Sequence, residues 1–159
     1  MIALLFWISI AAIVYTYAGY PAIIWAVGKL RPRPVNKSNI APSVSVVLAC
    51  YNEASRVEAR IRNLLDCHYP TDLFEVVVVS DGSTDRTAQI AREFGSDRVS
   101  VLEYGSRRGK AAALNLGVEA ANGEIIVFAD ARQRFEPDAI RELVMNFADA
   151  SVGGVSGEL

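Results

Sequence analysis

Charge is missing from the start of this 159-residue chain: no Asp, Glu, Lys, Arg or His precedes Lys29. An apolar run of that length exceeds the roughly 20 residues a helix needs to cross a bilayer. A cleaved signal peptide would carry a basic stretch ahead of a shorter apolar core, and nothing basic precedes Ile2. The run is apolar on every side, unlike the stripe of a core helix. Residues 1–30 are therefore predicted to form one transmembrane helix. Trp7, Tyr15, Tyr17, Tyr20 and Trp25 are of the types that favour the membrane–water boundary near helix ends. Pro21 lacks a backbone donor and is expected to kink the helix.

Other scarcities narrow the function. There is one histidine, His68, and the two cysteines, Cys50 and Cys67, share no metal-like spacing with it. Two cysteines also fit a reducing compartment. No basic excess exists, since 16 Lys and Arg stand against 18 Asp and Glu, which argues against nucleic acid as a partner. No G-x-G-x-x-G follows the first expected strand, which counts against a dinucleotide-binding domain. "GSRRGKA" is a near miss for a P-loop. Three residues separate Gly105 from Gly109 where four are needed, and Ala111 stands where a hydroxyl would hold Mg²⁺. No internal repeat or low-complexity segment is present.

What is there is alternation. "RPRPVNKSNIAPS" (31–43) is a proline-broken linker, and Lys29, Arg31, Arg33 and Lys37 mark its side of the membrane as cytoplasmic. "VSVVLAC" then reads as a strand, and "EASRVEARIRNLLDC" as a helix with Val57, Ile61, Leu64 and Leu65 on one face. "FEVVVVS" reads as a second strand. "STDRTAQIAREFG" reads as a helix that Ser83, Thr84 or Asp85 can cap and Gly95 can end. "RVSVLEY" is a third strand, "GKAAALNLGVEAANG" a helix closing near Gly123, and "EIIVFA" a fourth strand. "EPDAIRELVMNFA" is a helix with Pro137 in its first turn, and "VGGVSGEL" begins to look extended. This pattern predicts an α/β domain over 44–159, with a mostly parallel sheet covered on both faces. Ligands in such sheets bind at the carboxyl ends of the strands.

Three clusters fall at that edge. In "SDGSTD", Asp81 ends a strand in the crevice, where it can accept from a base-edge N–H or serve structure alone. Asp85 reads as a cap, and Gly82 as a tight turn. In "YGSRRGK", cations crowd a helix start, where positive charge is disfavoured unless an anion sits there. Lys110 fits that contact, whereas Arg107 and Arg108 read as solvent-facing. In "FADARQR", Asp130 ends a strand at the crevice mouth. It suits a divalent cation bridging phosphates, or the capping of a turn.

"VSVVLACYNE", "VVVVSDGSTDRT" and "GKAAALNLGVEAANGEIIVFADA", in that order, resemble the nucleotide-sugar half of a family 2 glycosyltransferase with the Rossmann-like GT-A fold. The resemblance covers about Pro42 to Leu159. It implies that Ala49, Cys50, Tyr51, Asn52 and Glu53 form the first nucleotide-contact loop. It further implies that Asp81 binds the uracil of a uridine diphosphate sugar, and that Lys110 is the basic residue near the nucleotide. Asp130 matches the first acid of the D-x-D motif, which coordinates Mg²⁺ or Mn²⁺. The third position is Arg132 rather than Asp, which leaves one fewer metal carboxylate and offers a guanidinium fork to phosphate.

The implied activity is inverting transfer of a hexosyl or N-acetylhexosaminyl unit from a nucleotide sugar, UDP-linked by the match to Asp81. The acceptor would be a polysaccharide, a lipid or another hydroxyl, at a bacterial inner membrane. The family's general base and acceptor-binding elements lie beyond Leu159, so the chain is expected to be an N-terminal fragment holding only the donor half. A non-catalytic, membrane-tethered nucleotide-binding module is the alternative from another class. A nucleotidyltransferase would show a Gly-rich, basic loop after the first strand, which "ACYNEAS" lacks.

Overall fold

A computed structural model describes residues 1–95 and 97–157. Chain packing divides it into two units, Met1–Val35 and the remainder from Asn36. The first is helical from Ile2 to Leu30, 29 residues with a mean hydropathy of 1.9. At 1.5 Å per residue it measures roughly 43 Å, more than the ~30 Å hydrocarbon layer. It comprises α1 (Ile2–Val14), a π-helical turn at Tyr15–Gly19 and α2 (Tyr20–Leu30). The expected disturbance at Pro21 takes the form of that wider turn just ahead of it, where the backbone ladder changes register. The Ser9 and Thr16 hydroxyls donate to the carbonyls of Leu5 and Ala12, four residues back, so neither is left unpaired. At the far end Lys29 Nζ lies 4.6 Å from the centre of the Trp25 ring.

The second unit is built on four strands: β1 (Val44–Cys50), β2 (Phe74–Asp81), β3 (Val99–Tyr104) and β4 (Ile125–Ala129). Their order is β3-β2-β1-β4, and every pairing is parallel, as the near-continuous apolar runs predict. Side chains alternate between two cores. Val44, Val46, Leu48 and Cys50 of β1 join Phe74, Val76 and Val78 of β2 on one face. That face is covered by Val57, Ile61 and Leu64 of α3 (Val57–Leu65), Ala91 of α4 (Thr87–Arg92), and Ile140 and Val144 of α6 (Ala139–Val144). The opposite face holds Val47, Val77 and Val79 under Ala113 of α5 (Lys110–Ala120). The close approach of α5 is a consequence of Gly117, where an added Cβ would stand 2.4 Å from Val47 Cγ1.

Three expected boundaries move. The helix after β3 ends at Ala120, because the backbone N–H groups of Asn122 and Gly123 donate to Glu75 and Ser45 instead of continuing it. Pro137 precedes α6, and its carbonyl accepts from the His68 backbone N–H at 2.7 Å. After α6 a 3₁₀ turn at Met145–Ala148 follows, and 152–157 pair with no strand. The rest of that expected extended segment, Glu158 and Leu159, lies outside the described residues.

Since β2 and β4 flank β1, the chain reverses its direction of travel across the sheet beside β1. Crevices form at such switch points, outside the carboxyl ends of the strands.

Candidate functional site

The loops after β1 and β2 are tied to each other by side chains that donate to and accept from backbone. Asn52, at φ +53°, accepts the Thr84 N–H on Oδ1 at 2.8 Å and donates its own N–H to Ser83 Oγ. The Glu53 and Ala54 N–H groups donate to Thr87 Oγ1 and Asp85 Oδ2. Asp85 Oδ1 also accepts the Thr87 N–H, from one residue ahead of the N-cap, which is Arg86 rather than the expected Ser83, Thr84 or Asp85. The hydroxyls and acid of "SDGSTD" are thus occupied largely in fastening "YNEA".

Asp81 fastens the next loop. It is 4% exposed, and its two oxygens accept the backbone N–H groups of Arg108 at 2.7 Å and Gly109 at 2.8 Å. Gly82 permits the approach: at φ +63° an added Cβ would lie 2.3 Å from the Arg107 nitrogen. The loop in turn lays Arg107 over the Tyr51 ring at 4.2 Å and Arg108 over the Tyr104 ring at 4.5 Å. Both arginines stay exposed, as expected from sequence, with one face of each guanidinium laid on a ring.

A cleft of about 300 Å³ opens between these loops and the end of β4. It is lined by Ala49, Tyr51, Glu53, Asp81, Lys110, Asp130 and Arg132, so all but one of the residues singled out from sequence meet there. The exception, Asn52, faces the Ser83–Thr84 turn. Cys50 also lines the cleft; burial, with Glu53 and Asp130 nearby, pushes its thiol up to about 12, so it stays neutral. Asp130 Oδ1 accepts the Arg132 backbone N–H at 3.0 Å, and Oδ2 accepts from Lys110 Nζ at 3.2 Å. The first of these bonds, and then the lysine, hold the carboxyl below the usual carboxylate range against a burial effect that works upward. Glu53, 7% exposed, accepts from Arg132 Nε at 3.2 Å and Arg56 Nη1 at 2.9 Å.

No ready-made metal cage exists among the described residues: no three or more His, Cys, Asp and Glu gather to hold an ion. Asp130 offers one ionised carboxylate with its side chain 41% exposed. A lone carboxylate suits a hard cation that keeps its waters and takes its remaining ligands from phosphate oxygens.

The model of the glycosyl transferase family 2 matches residues 45–159. The chain belongs to this family. A poly-beta-1,6-N-acetyl-D-glucosamine synthase of Staphylococcus epidermidis is 30% identical over 155 residues, covering 89% of this chain and 37% of that protein. A probable glycosyltransferase of Bacillus subtilis, YdaM, is 32% identical over 74% of this chain and 29% of its own length. Among solved structures, the mannosyltransferase PcManGT of Pyrobaculum calidifontis, in complex with GDP-Man and Mn²⁺, superposes with a TM-score of 0.76. It is 32% identical and covers 90% of this chain and 44% of its own. Staphylococcus aureus TarS with UDP-GlcNAc gives 0.58 at 26% identity, over 64% of this chain and 30% of its own. This chain therefore spans less than half the length of each of these relatives. As a family 2 chain it has the GT-A-like parallel sheet, preceded by one apolar helix consistent with membrane anchoring.

Sequence reasoning missed three contributors. Arg56 shares Glu53 with Arg132. Asn63 fixes the far end of the Asp130 loop: its Oδ1 accepts the Phe135 N–H and its Nδ2 donates to the Phe135 carbonyl. Arg60, 3% exposed, donates to Asn63 Oδ1 and lies 4.3 Å from the Phe135 ring centre. A signal for Arg60 existed, since 57, 60, 61 and 64 form one helical stripe that carries a charge at its second position.

Proposed function

We propose that this chain binds the donor for an inverting glycosyltransferase, which moves a hexosyl or N-acetylhexosaminyl unit from a uridine diphosphate sugar to a hydroxyl of a glycan or lipid at the bacterial inner membrane. The observation that carries the reading is the convergence of Tyr51, Asp81, Lys110, Asp130 and Arg132 on one cleft at the carboxyl edge of the sheet. The relatives that work with GDP-Man and UDP-GlcNAc support a nucleotide sugar as the donor class.

In this reading the base lies beside Tyr51. Asp81 retains a free lone pair on each oxygen for a base-edge N–H, while its backbone bonds keep the Arg107–Gly109 loop in register. Lys110 and Arg132 meet the diphosphate, and Asp130 would be the residue that holds Mg²⁺ or Mn²⁺. When bound, the cation supplies charge neutralisation to the departing diphosphate. Lys110 and Arg132 act in the same sense, as preorganised charges aimed at the oxygens where negative charge develops. An acceptor hydroxyl attacks C1 in line, and its proton must pass to a carboxylate base. In this reading the cleft's described carboxylates have other tasks: Asp81 meets the base, Asp130 the cation, and Glu53 is held by two arginines. Donor binding, rather than complete turnover, is therefore the expected property of this chain.

Isothermal titration of the full chain in detergent micelles tests this. Uridine diphosphate binds weakly, more tightly with Mg²⁺ or Mn²⁺, and no sugar is transferred to acceptor. Asp130→Ala removes the metal enhancement, and Asp81→Ala reduces the preference for uridine over cytidine diphosphate. A folded chain that binds no nucleotide, or one that transfers sugar unaided, contradicts the reading. Binding in which both variants match the parent refutes the two residue roles.

A further inference from the structure

We infer that Arg132 grips the donor diphosphate directly, so that nucleotide binding in this cleft persists without a divalent metal. The inference rests on the donor-binding reading above and adds to it the group that stands in for a second metal-binding carboxylate.

Three observations converge. The residue two places after Asp130, also in the cleft, is basic. Its Nε donates to Glu53 Oε1 at 3.2 Å, and Glu53 is itself buried and held from the other side by Arg56. One edge of the guanidinium is therefore fixed. Its two Nη atoms have no partner among the described residues, and the side chain is 74% exposed. A planar fork, tethered at one edge and open at the other, is the geometry that pairs bidentately with phosphate oxygens at reduced entropy cost.

The charge arrangement agrees. Lys110 and Asp130 neutralise each other at 3.2 Å. Arg107, Lys110 and Arg132 balance Glu53, Asp81 and Asp130 in the cleft lining, but Glu53 is shared with Arg56 from outside it, so the charge of Arg132 is not fully spent on its partner. A dication binding Asp130 must compete with Lys110 for Oδ2, whereas Arg132 needs no rearrangement to receive an anion. Asp at position 132 would have offered a cation a second carboxylate and a phosphate only repulsion. Arginine reverses both preferences.

The test is titration of the full chain in micelles with uridine diphosphate, once in Mg²⁺ and once in EDTA. In the parent, EDTA weakens binding by no more than about tenfold. Arg132→Ala loses at least about a further tenfold in EDTA and much less in Mg²⁺. Arg132→Lys, which keeps the charge without the fork, falls between them. Arg132→Asp binds only when metal is present. The inference is overturned if EDTA abolishes binding to the parent that Mg²⁺ supports, or if Arg132→Ala matches the parent in both media. Absence of binding to the parent in either medium refutes the donor-binding reading itself, and Arg132 with it.

Discussion

At the scale of single residues, Glu75, Asp81, Asp85 and Asp130 all use their carboxylates to hold backbone, and Glu75 is the plainest case. It sits near the start of β2 and accepts from the Ser45 hydroxyl and from both the backbone and the amide of Asn122. Burial works to raise its pKa, but these bonds outweigh burial and hold it below its ordinary value of 4.5. The sign follows from linkage. A depressed folded value contributes stability above the unfolded pKa, and that contribution is lost as pH falls through the lower folded value. Glu75→Gln keeps the shape and removes the charge, so it should cost about 1–2 kcal/mol at pH 7. Urea unfolding of variant and parent at pH 7 and near pH 3 checks this, with the difference shrinking in acid. None of it was legible beforehand, because the partners lie 30 and 47 residues away. Asp81 was half legible: its place at a strand end could be read from "VVVVSD", but its two backbone donors, 27 and 28 residues downstream, could not.

At the scale of elements, the four strands were legible from short runs rich in apolar and β-branched residues, of which the four consecutive valines of β2 are the plainest. Helix ends were less so. Sequence placed Ser83, Thr84 and Asp85 as caps of their own helix. The structure turns them toward the β1 loop: Ser83 and Asp85 accept its N–H groups, and Thr84 donates its own N–H to Asn52. Helix α5 is positioned by what it lacks at Gly117. An Ala there gains about 1 kcal/mol in helix propensity. The new methyl, however, meets the stiff, buried Val47 at 2.4 Å and Val79 at 3.2 Å. Overpacking of this kind costs about 1–3 kcal/mol, so Gly117→Ala is expected to be neutral to destabilising and Gly117→Val clearly destabilising. Thermal melts rank parent, Ala and Val in that order. Because Lys110 begins the same helix, displacement of α5 should weaken nucleotide binding in Gly117→Val as well.

At the scale of the whole molecule, the charge-free helix and the basic segment after it set the expected topology. Lys29, Arg31, Arg33 and Lys37 lie within a few residues of the apolar end. Basic residues so close to a span are retained on the cytoplasmic side, whereas acidic residues exert little such influence. Nucleotide sugars carry their charge on a diphosphate, and on the proposed reading, in which Lys110 and Arg132 meet that diphosphate, the cleft would have to face the compartment where such donors circulate. Topology and site chemistry thus make the same demand. Trypsin cuts after Lys and Arg except before Pro, so it should cleave after Lys29 or Lys37 in inverted membrane vesicles and leave 29–37 intact in right-side-out spheroplasts. Changing all four residues to Gln should move a measurable fraction of chains into the opposite orientation, seen as cleavage of the soluble unit in spheroplasts. Cleavage of the parent from the outer face would place the cleft on the wrong side of the membrane for its proposed donor.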